Sequence, residues 1–398
     1  MVSSNAEIIY LDNNATTQLD PAVVEEMMPF LTTLYGNPSS GYAFGSQVRC
    51  AINLARTRLA TLLGCGTSEI IFTSSGTEAN NTAINSALQM DERRQHIVTT
   101  GVEHSAVRRH CEELAKRGCE VTFLGVDGEG NLDLAEVEQA IRPDTAIVSV
   151  MWANNETGVL FPVEEIARIT QQKGALFHTD AVQAVGKIPI KLADSAISFL
   201  SLAGHKLHGP KGVGALYVKG RTRFRPLLVG GSQENGRRAG TENVASIVGL
   251  GKAAERAAEA MEEEQNSVRA MRDRFESGLT ERIAGARVNG NRDMRLPNTS
   301  NLSFGGIESD AALTMLDQRH ICCSAGSACR TGSLSASHVL SAMGMSNEAA
   351  RSSLRFSFGR FNSESEVDKT LEIVPAVIEK LRKLSNVGSL VKEAAPAG

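Results

Sequence analysis

An aspartate and a lysine stand at the ends of two apolar, strand-like runs: GALF leads into HTDAVQ (178–183), and AISFL leads into SLAGHK (201–206). Parallel sheets deliver side chains to a ligand crevice at the C-terminal ends of their strands, so Asp180 and Lys206 are expected to face one cavity. A lysine amine that condenses with an aldehyde, and an acid that keeps a ring nitrogen protonated, are what pyridoxal 5'-phosphate requires of a protein. Lys206 fits the first role and Asp180 the second, while a buried structural ion pair is the plainer alternative. Lys211, inside the turn GPKG, is the rival amine; it is expected to face solvent because it lies within the turn and not at the strand end.

Other positions fall at the same kind of junction. TSSGTEANNT (73–82) follows EIIF and opens a helix, so the free backbone N–H groups of Gly76 and Thr77 form a phosphate cradle, unless the segment is only a capping box. His104, in VEHSAV after HIVTTG, suits stacking on a planar cofactor or acid–base work, or else caps a helix. Asn155, in WANNETG, is a donor to a ring oxygen or a substrate carboxylate, or part of a plain turn. Gln183 is a further donor to the ring oxygen, and His205, next to the lysine, is a contact for the phosphate. Arg355, in SSLRFSFGR, has the planar guanidinium that captures an amino-acid carboxylate with two hydrogen bonds; a strand-edge salt bridge is the alternative. In SAGSACRTGS (324–333) small residues surround Cys329, which predicts an exposed, mobile loop where a reactive thiol belongs, with Arg330 favouring its thiolate.

The elements that must position these groups follow from the periodicity. Between about 46 and 250, helical stretches (QVRCAINLARTRLATLL, AVRRHCEELAKRG, VEEIARITQQKG) alternate with short apolar strands (EIIFTSS, HIVTTG, EVTFLGV, TAIVSVMWA, GALFHTD, AISFLSL, GVGALYVKG). That alternation marks an α/β domain on a mainly parallel sheet. One long charged helix is expected over 242–284, joining it to a smaller α/β unit made of NTSNLSF, SDAALTMLDQ, HICCSA, SLRFSFG and a closing helix from VDKTLEIV. LVKEAAPAG is expected to be a loose tail. The length of 398 residues fits two domains. With 41 basic and 45 acidic residues the formal charge is -4, which argues against nucleic acid as a partner. Absence of a leader-like start and of long apolar runs predicts a cytoplasmic protein without a membrane span. Seven scattered cysteines (Cys50, Cys65, Cys111, Cys119, Cys322, Cys323, Cys329) fit a reducing compartment, none has zinc-ligand spacing, and the vicinal pair Cys322 and Cys323 is read as structural packing. No metal is expected.

Taken in order, YLDNNATT (10–17), YGNPSS, SGTEANN, VEH, MWANNETG, HTDAVQAVGK, GHKLHGPKG, GRRAGTEN, GSAC and LRFSFGR resemble the NifS-type cysteine desulfurases of the class V aminotransferase group, over nearly the whole chain. The resemblance implies an α/β, fold-type I homodimer with a mainly parallel seven-stranded sheet. Its large cofactor domain would span 16–261, and 1–15 with 262–398 would form a small domain carrying the cysteine loop. It also implies pyridoxal phosphate bonded covalently by Lys206, paired through its ring nitrogen with Asp180, stacked by His104, bonded at the ring oxygen by Asn155 and Gln183, and held at the phosphate by Gly76, Thr77 and His205. Thr241 would reach the phosphate from the other subunit. Arg355 and Asn155 would bind L-cysteine, and Lys206, His104 and Cys329 would be catalytic. Sulfur would pass as a persulfide of Cys329 to an iron–sulfur scaffold protein, with the nitrogen-fixation branch the nearest in likeness. One departure is Ala203, where many relatives carry a serine that bonds the phosphate. A selenocysteine lyase or other class V enzyme, a non-catalytic sulfur-protein scaffold, and a nucleotide-binding α/β protein are the rival readings; the last lacks any GxGxxG or GxxxxGK[ST] string.

Overall fold

A computed structural model of the chain describes residues 8–325 and 336–393. After a two-residue strand β1 (Ile9–Tyr10) come seven strands of one sheet: β2 (Ile70–Thr73), β3 (His96–Thr100), β4 (Glu120–Leu124), β5 (Thr145–Ser149), β6 (Leu176–Asp180), β7 (Phe199–Ala203) and β8 (Gly214–Val218). Their order is β2-β8-β7-β6-β5-β3-β4. Strands β3 to β7 are mutually parallel, while β8 runs antiparallel to β7 and β2. Every residue of β2, β3, β5, β7 and β8 is buried, as expected of a sheet covered on both faces.

Alternate side chains feed two cores, because successive residues of a strand point to opposite faces. Ile71, Ile97, Ile147 and Leu216 join one core with Ala79 and Ala83 of the helix Gly76–Leu88. Phe72, Val98, Val148 and Tyr217 join the other, with Ile52 and Leu59 of Ala43–Leu63 and Leu250 of Val244–Glu259. The last two helices approach closely: a Cβ on Gly251 would lie 2.3 Å from Ala55 Cα.

The remaining strands, β9 (Ala286–Val288), β10 (Thr299–Phe304), β11 (Ile321–Cys322), β12 (Ser324–Ala325) and β13 (Ser353–Ser357), belong to a second region. Four of them form an antiparallel sheet ordered β12-β13-β10-β9, and β11 pairs in parallel with β1. Ile9, Phe275, Phe304, Phe356, Phe358 and Leu371 fill a separate core there.

Two expectations need correction. The long helix is not continuous: Val244–Glu259 ends at Ala260, a π-helical turn occupies Glu264–Val268, and Arg269–Arg282 follows. The turn buries the Glu264 side chain at 5% exposure, which a straight charged helix would leave in water. Nor does the tail begin at Leu390, because the closing helix runs from Glu364 to Glu393. The helix Pro21–Thr32 was not foreseen; Asp20 caps it by accepting from Ala22 N at 2.9 Å, with Pro21 opening the first turn. Among the described residues no helix is long and apolar enough to cross a membrane.

Candidate active site

The ends of β6 and β7 deliver Asp180 and Lys206 to one cavity of about 290 Å³. Lys206 closes the short 3-10 turn Gly204–Lys206 that follows β7. Its amine does not pair with Asp180. It donates to the backbone carbonyls of Ala15 (2.6 Å) and of Asn14. Burial, with the charges of Arg355 and Lys187, pushes the Lys206 amine down to about 7, so a substantial share is neutral and nucleophilic near pH 7. Lys211 is exposed, as its place in the turn predicts.

Asp180 is 5% exposed and fixed from two sides. Oδ2 accepts from Asn80 Nδ2 at 2.6 Å and Oδ1 from Val182 N at 3.0 Å. Gln183 donates through Nε2 to the Asn14 carbonyl at 2.9 Å, while its Oε1 is buried without a partner. The structural ion pair between Asp180 and Lys206 is therefore not what holds these residues.

Gly76 and Thr77 line the cavity from the first turn of the helix Gly76–Leu88. Ser75 is its cap, accepting from Glu78 N at 3.1 Å, so the capping reading is also true and leaves the preceding N–H groups free. A Cβ on Gly76 would fall 2.8 Å from Val182 Cγ2; glycine is what lets this helix end approach the loop after Asp180. His104 plays both parts as well. Its Nδ1 accepts from Ala106 N at 3.2 Å, capping Ser105–Lys116, and its ring lines the cavity. His205 lies at the same end, with Nδ1 3.2 Å from Thr16 Oγ1. Burial, with Lys206 and Lys211 nearby, pushes His205 down to about 4, so the imidazole is neutral at pH 7. The tautomer that accepts from Thr16 leaves Nε2–H as a donor. Ala203 lines the cavity and offers no hydroxyl.

Arg355 is 1% exposed on β13, an interior strand between β12 and β10, with Asn301 and Ser324 opposite it in register. Arg355 is thus not at a strand edge, but the salt bridge of the plainer reading is present. Nη2 pairs with Asp12 Oδ1 at 2.7 Å, Nη1 donates to the Asn155 carbonyl at 2.8 Å, and Nε is buried without a partner. Asn155 and Arg355 border the cavity together. Thr241 is exposed and does not line it. Cys329 lies outside the described residues. The described chain on either side of it is fastened near the site: Ser324 Oγ donates to Asp12 Oδ1 at 2.9 Å, and His338 Nε2 lies 3.0 Å from the Glu103 carbonyl.

Three residues of the site were not singled out from the sequence. Asn80 holds Asp180. Asn14 accepts Lys206 and Gln183 on its carbonyl, while its side chain donates to Thr299 Oγ1 (2.8 Å) and the Asn155 carbonyl (3.2 Å). Asp12 orients Arg355. Asn80 had a signal, since it stands one helical turn after Gly76 and so shares its face; Asn14 acts through its backbone, which no residue type announces.

The cavity passes a test for pyridoxal phosphate on its own chemistry. An amine depressed to about 7, a held carboxylate, a helix N-terminus that a side chain would obstruct, a neutral imidazole and the orphaned Gln183 Oε1 line one space. Those are the donors and acceptors that an aldehyde, a ring nitrogen, a phosphate and a ring hydroxyl need. Among the described residues no group of three or more His, Cys, Asp or Glu could hold a metal ion.

Residues 9–370 match the aminotransferase class-V family. The chain is 53% identical over 378 residues to the cysteine desulfurase NifS of Azotobacter vinelandii, spanning 95% of this chain and 94% of that one. It is 53% identical to cysteine desulfurase 2 of Trichormus variabilis over 95% of each. Among solved structures, a NifS-like protein matches with a TM-score of 0.89 at 37% identity, covering 94% of this chain and 100% of the other. A structure described as SspA in complex with cysteine matches with a TM-score of 0.79 at 35% identity, covering 89% of this chain and 100% of the other. The chain therefore belongs to the aminotransferase class-V family and, within it, to the NifS-type cysteine desulfurases. Pyridoxal phosphate is its cofactor.

Proposed function

We propose that the chain is a pyridoxal-phosphate-dependent cysteine desulfurase that converts L-cysteine to L-alanine and passes the sulfur, held on Cys329, to an acceptor protein. The observation that carries this reading is the Lys206 amine, pushed down to about 7, in the same cavity as an Asp180 carboxylate fixed by Asn80. When bound, the cofactor supplies an electron sink for the pair left on Cα. The chain's residues do the rest. Asp180 would keep the ring nitrogen protonated. Gln183 and Asn155 would hold the ring oxygen, His104 would stack on the ring, and Gly76, Thr77 and His205 would receive the phosphate. Arg355 binds the substrate carboxylate with Asn155 beside it. Lys206, whose depressed value leaves a substantial neutral share near pH 7, takes the Cα proton. His104 moves the proton of the substrate thiol. The Cys329 thiolate then attacks the substrate sulfur: an S–S bond forms, the Cβ–S bond breaks with its electron pair on carbon, and protonation of Cβ together with return of a proton from Lys206 to Cα gives alanine.

The larger setting is part of the same proposal. The cofactor domain is 16–261, and the small domain is 1–15 with 262–398; the separate core around Phe275 and Phe356 supports that division. The enzyme works as a homodimer, Thr241 serving the partner's phosphate, which is consistent with its exposure and with the exposed Leu227, Leu228 and Val229 nearby in sequence. It works in the cytoplasm, consistent with six free cysteines among the described residues. An iron–sulfur scaffold protein is the acceptor.

The test is alanine and sulfide release from L-cysteine with a thiol reductant. Equal yields from native protein are expected, with loss of sulfide but not of cofactor in Cys329→Ala, and loss of the borohydride-fixed cofactor linkage in Lys206→Ala. Native rates in Cys329→Ala would remove that cysteine from the mechanism, and absence of alanine would overturn the reaction itself.

A further inference from the structure

Lys206 borders a second space besides the cofactor cavity. This void, of about 10 Å³, is also lined by Lys187, Glu264, His208 and Arg360. Lys187 and Glu264 are each 5% exposed, yet nothing in the reaction described above employs either. Burying an ammonium costs several kcal/mol unless it is compensated, so a lysine here calls for a reason.

Two geometric links join Lys187 to the reactive lysine. The first is a chain of hydrogen bonds. Lys187 Nζ donates to the Gln183 carbonyl at 3.2 Å, Gln183 Nε2 donates to the Asn14 carbonyl, and the Lys206 amine donates to that same carbonyl. The second is the shared void, which Lys187 and Lys206 both line together with Glu264, whose Oε2 is buried and unpartnered. Glu264 opens the π-helical turn Glu264–Val268, the irregularity that brings its carboxyl inward.

We propose that Lys187 is a positioning residue for the cofactor lysine: its buried ammonium, retained by Glu264, fixes the Gln183 carbonyl and disfavours a second positive charge on Lys206. The charges around both groups agree with this. Arg355 and Lys187 oppose protonation of Lys206, while Asp12 and Asp180 favour it. Burial pushes Lys187 down to about 8, and Glu264 counters that. Burial pushes Glu264 up, while the charges of Lys187 and Arg360 oppose that, and burial depresses His205 and His208 with the same ammonium adding to it.

The inference rests on Lys206 being the cofactor lysine, and the experiment separates the two. The full chain, freed of cofactor and shown to reload it, is trace-acetylated across pH, and acetylation of Lys206 and Lys187 is read by peptide mass spectrometry. In the native chain the Lys206 curve is expected to broaden where Lys187 titrates, because the two sites interact. Lys187→Met is expected to raise the Lys206 midpoint by about half a pH unit or more, and Lys187→Arg, which keeps the charge, is expected to leave it low. If Lys187→Met does not fold, Lys187→Met/Glu264→Gln, which leaves no unpaired carboxylate, carries the same expectation. An unbroadened native curve, an unmoved midpoint in the methionine variant, or an equal rise in the arginine variant overturns the proposal. Borohydride fixation of the cofactor on another lysine instead overturns the functional reading and leaves the titration result standing.

Discussion

Lys206 bears two demands that conflict in the absence of cofactor. Reactivity wants the amine neutral, whereas in the unfolded chain it is protonated up to its ordinary value of 10.5. Because its folded value is depressed to about 7, the folded state binds fewer protons than the unfolded state between those values, so stability rises with pH there. The cost of burying this lysine is therefore fully present below about 7 and vanishes above about 10.5. Lys206→Met is expected to melt higher than native cofactor-free protein at pH 6, with the difference shrinking towards pH 10; calorimetry across that range checks it. Asp180 presents the complementary case, a carboxylate held by a neighbour and not by a counter-charge. Asn80→Ala removes the 2.6 Å bond to Oδ2. A hydrogen bond to a charged group contributes about 1.5 to 3 kcal/mol, so cofactor affinity is expected to fall roughly tenfold or more. Equilibrium dialysis of the cofactor measures that loss.

Elements turn these residues into a site through close approaches that tolerate no extra atoms. The helix Val244–Glu259 packs against Ala43–Leu63 at Gly251, where an added Cβ would overlap the Ala55 backbone. Gly251→Ala improves helix propensity by about 1 kcal/mol but forces the helices apart, an overpacking cost of typically 1 to 3 kcal/mol. Net destabilisation is expected, seen as a lower denaturant midpoint; a gain in stability would mean that the pair can slide freely. The strands were legible because they obey simple rules: an apolar run of about five residues between turn signals, ending in the residue that faces the crevice. Asp180, Lys206 and Gly76 were readable for that reason. Arg355 was readable by alternation, since Leu354, Phe356 and Phe358 enter the core and Arg355 points the other way. Its commitment to Asp12 was not, because that contact joins opposite ends of the chain. Pro29 obscured the helix Pro21–Thr32, and the π-turn at Glu264 was invisible because the charges Glu264 faces, Lys187 and Arg360, lie in distant segments.

At the scale of the molecule, the site is a junction between regions with separate cores, and Asn14 shows how. Its side chain reaches Thr299 on β10 and the Asn155 carbonyl, and its backbone receives Lys206 and Gln183 from the loops after β7 and β6. Every site residue assigned from the sequence lines this junction except Cys329, which lies outside the described residues, and Thr241, which is exposed elsewhere. Thr241 is nonetheless held in a defined loop: Arg238 pairs with Glu78 at 2.9 Å in the first turn of the helix Gly76–Leu88, and Glu234 pairs with Arg56 at 2.6 Å. A loop fastened on one side and exposed at Thr241 fits a residue offered to a second copy. If it serves the partner's phosphate, two damaged chains repair each other. Lys206→Ala removes the reactive amine from its own site but still presents Thr241; Thr241→Val keeps the amine but fails its partner. Unfolding and refolding the two together in equal amounts gives half mixed dimers, each with one intact site of two. Roughly a quarter of the native rate per chain is then expected, above the average of the separate variants, because a two-fold dimer exchanges the same patch in both directions. If the mixture equals the average of its parents, Thr241 acts within its own chain or not at all.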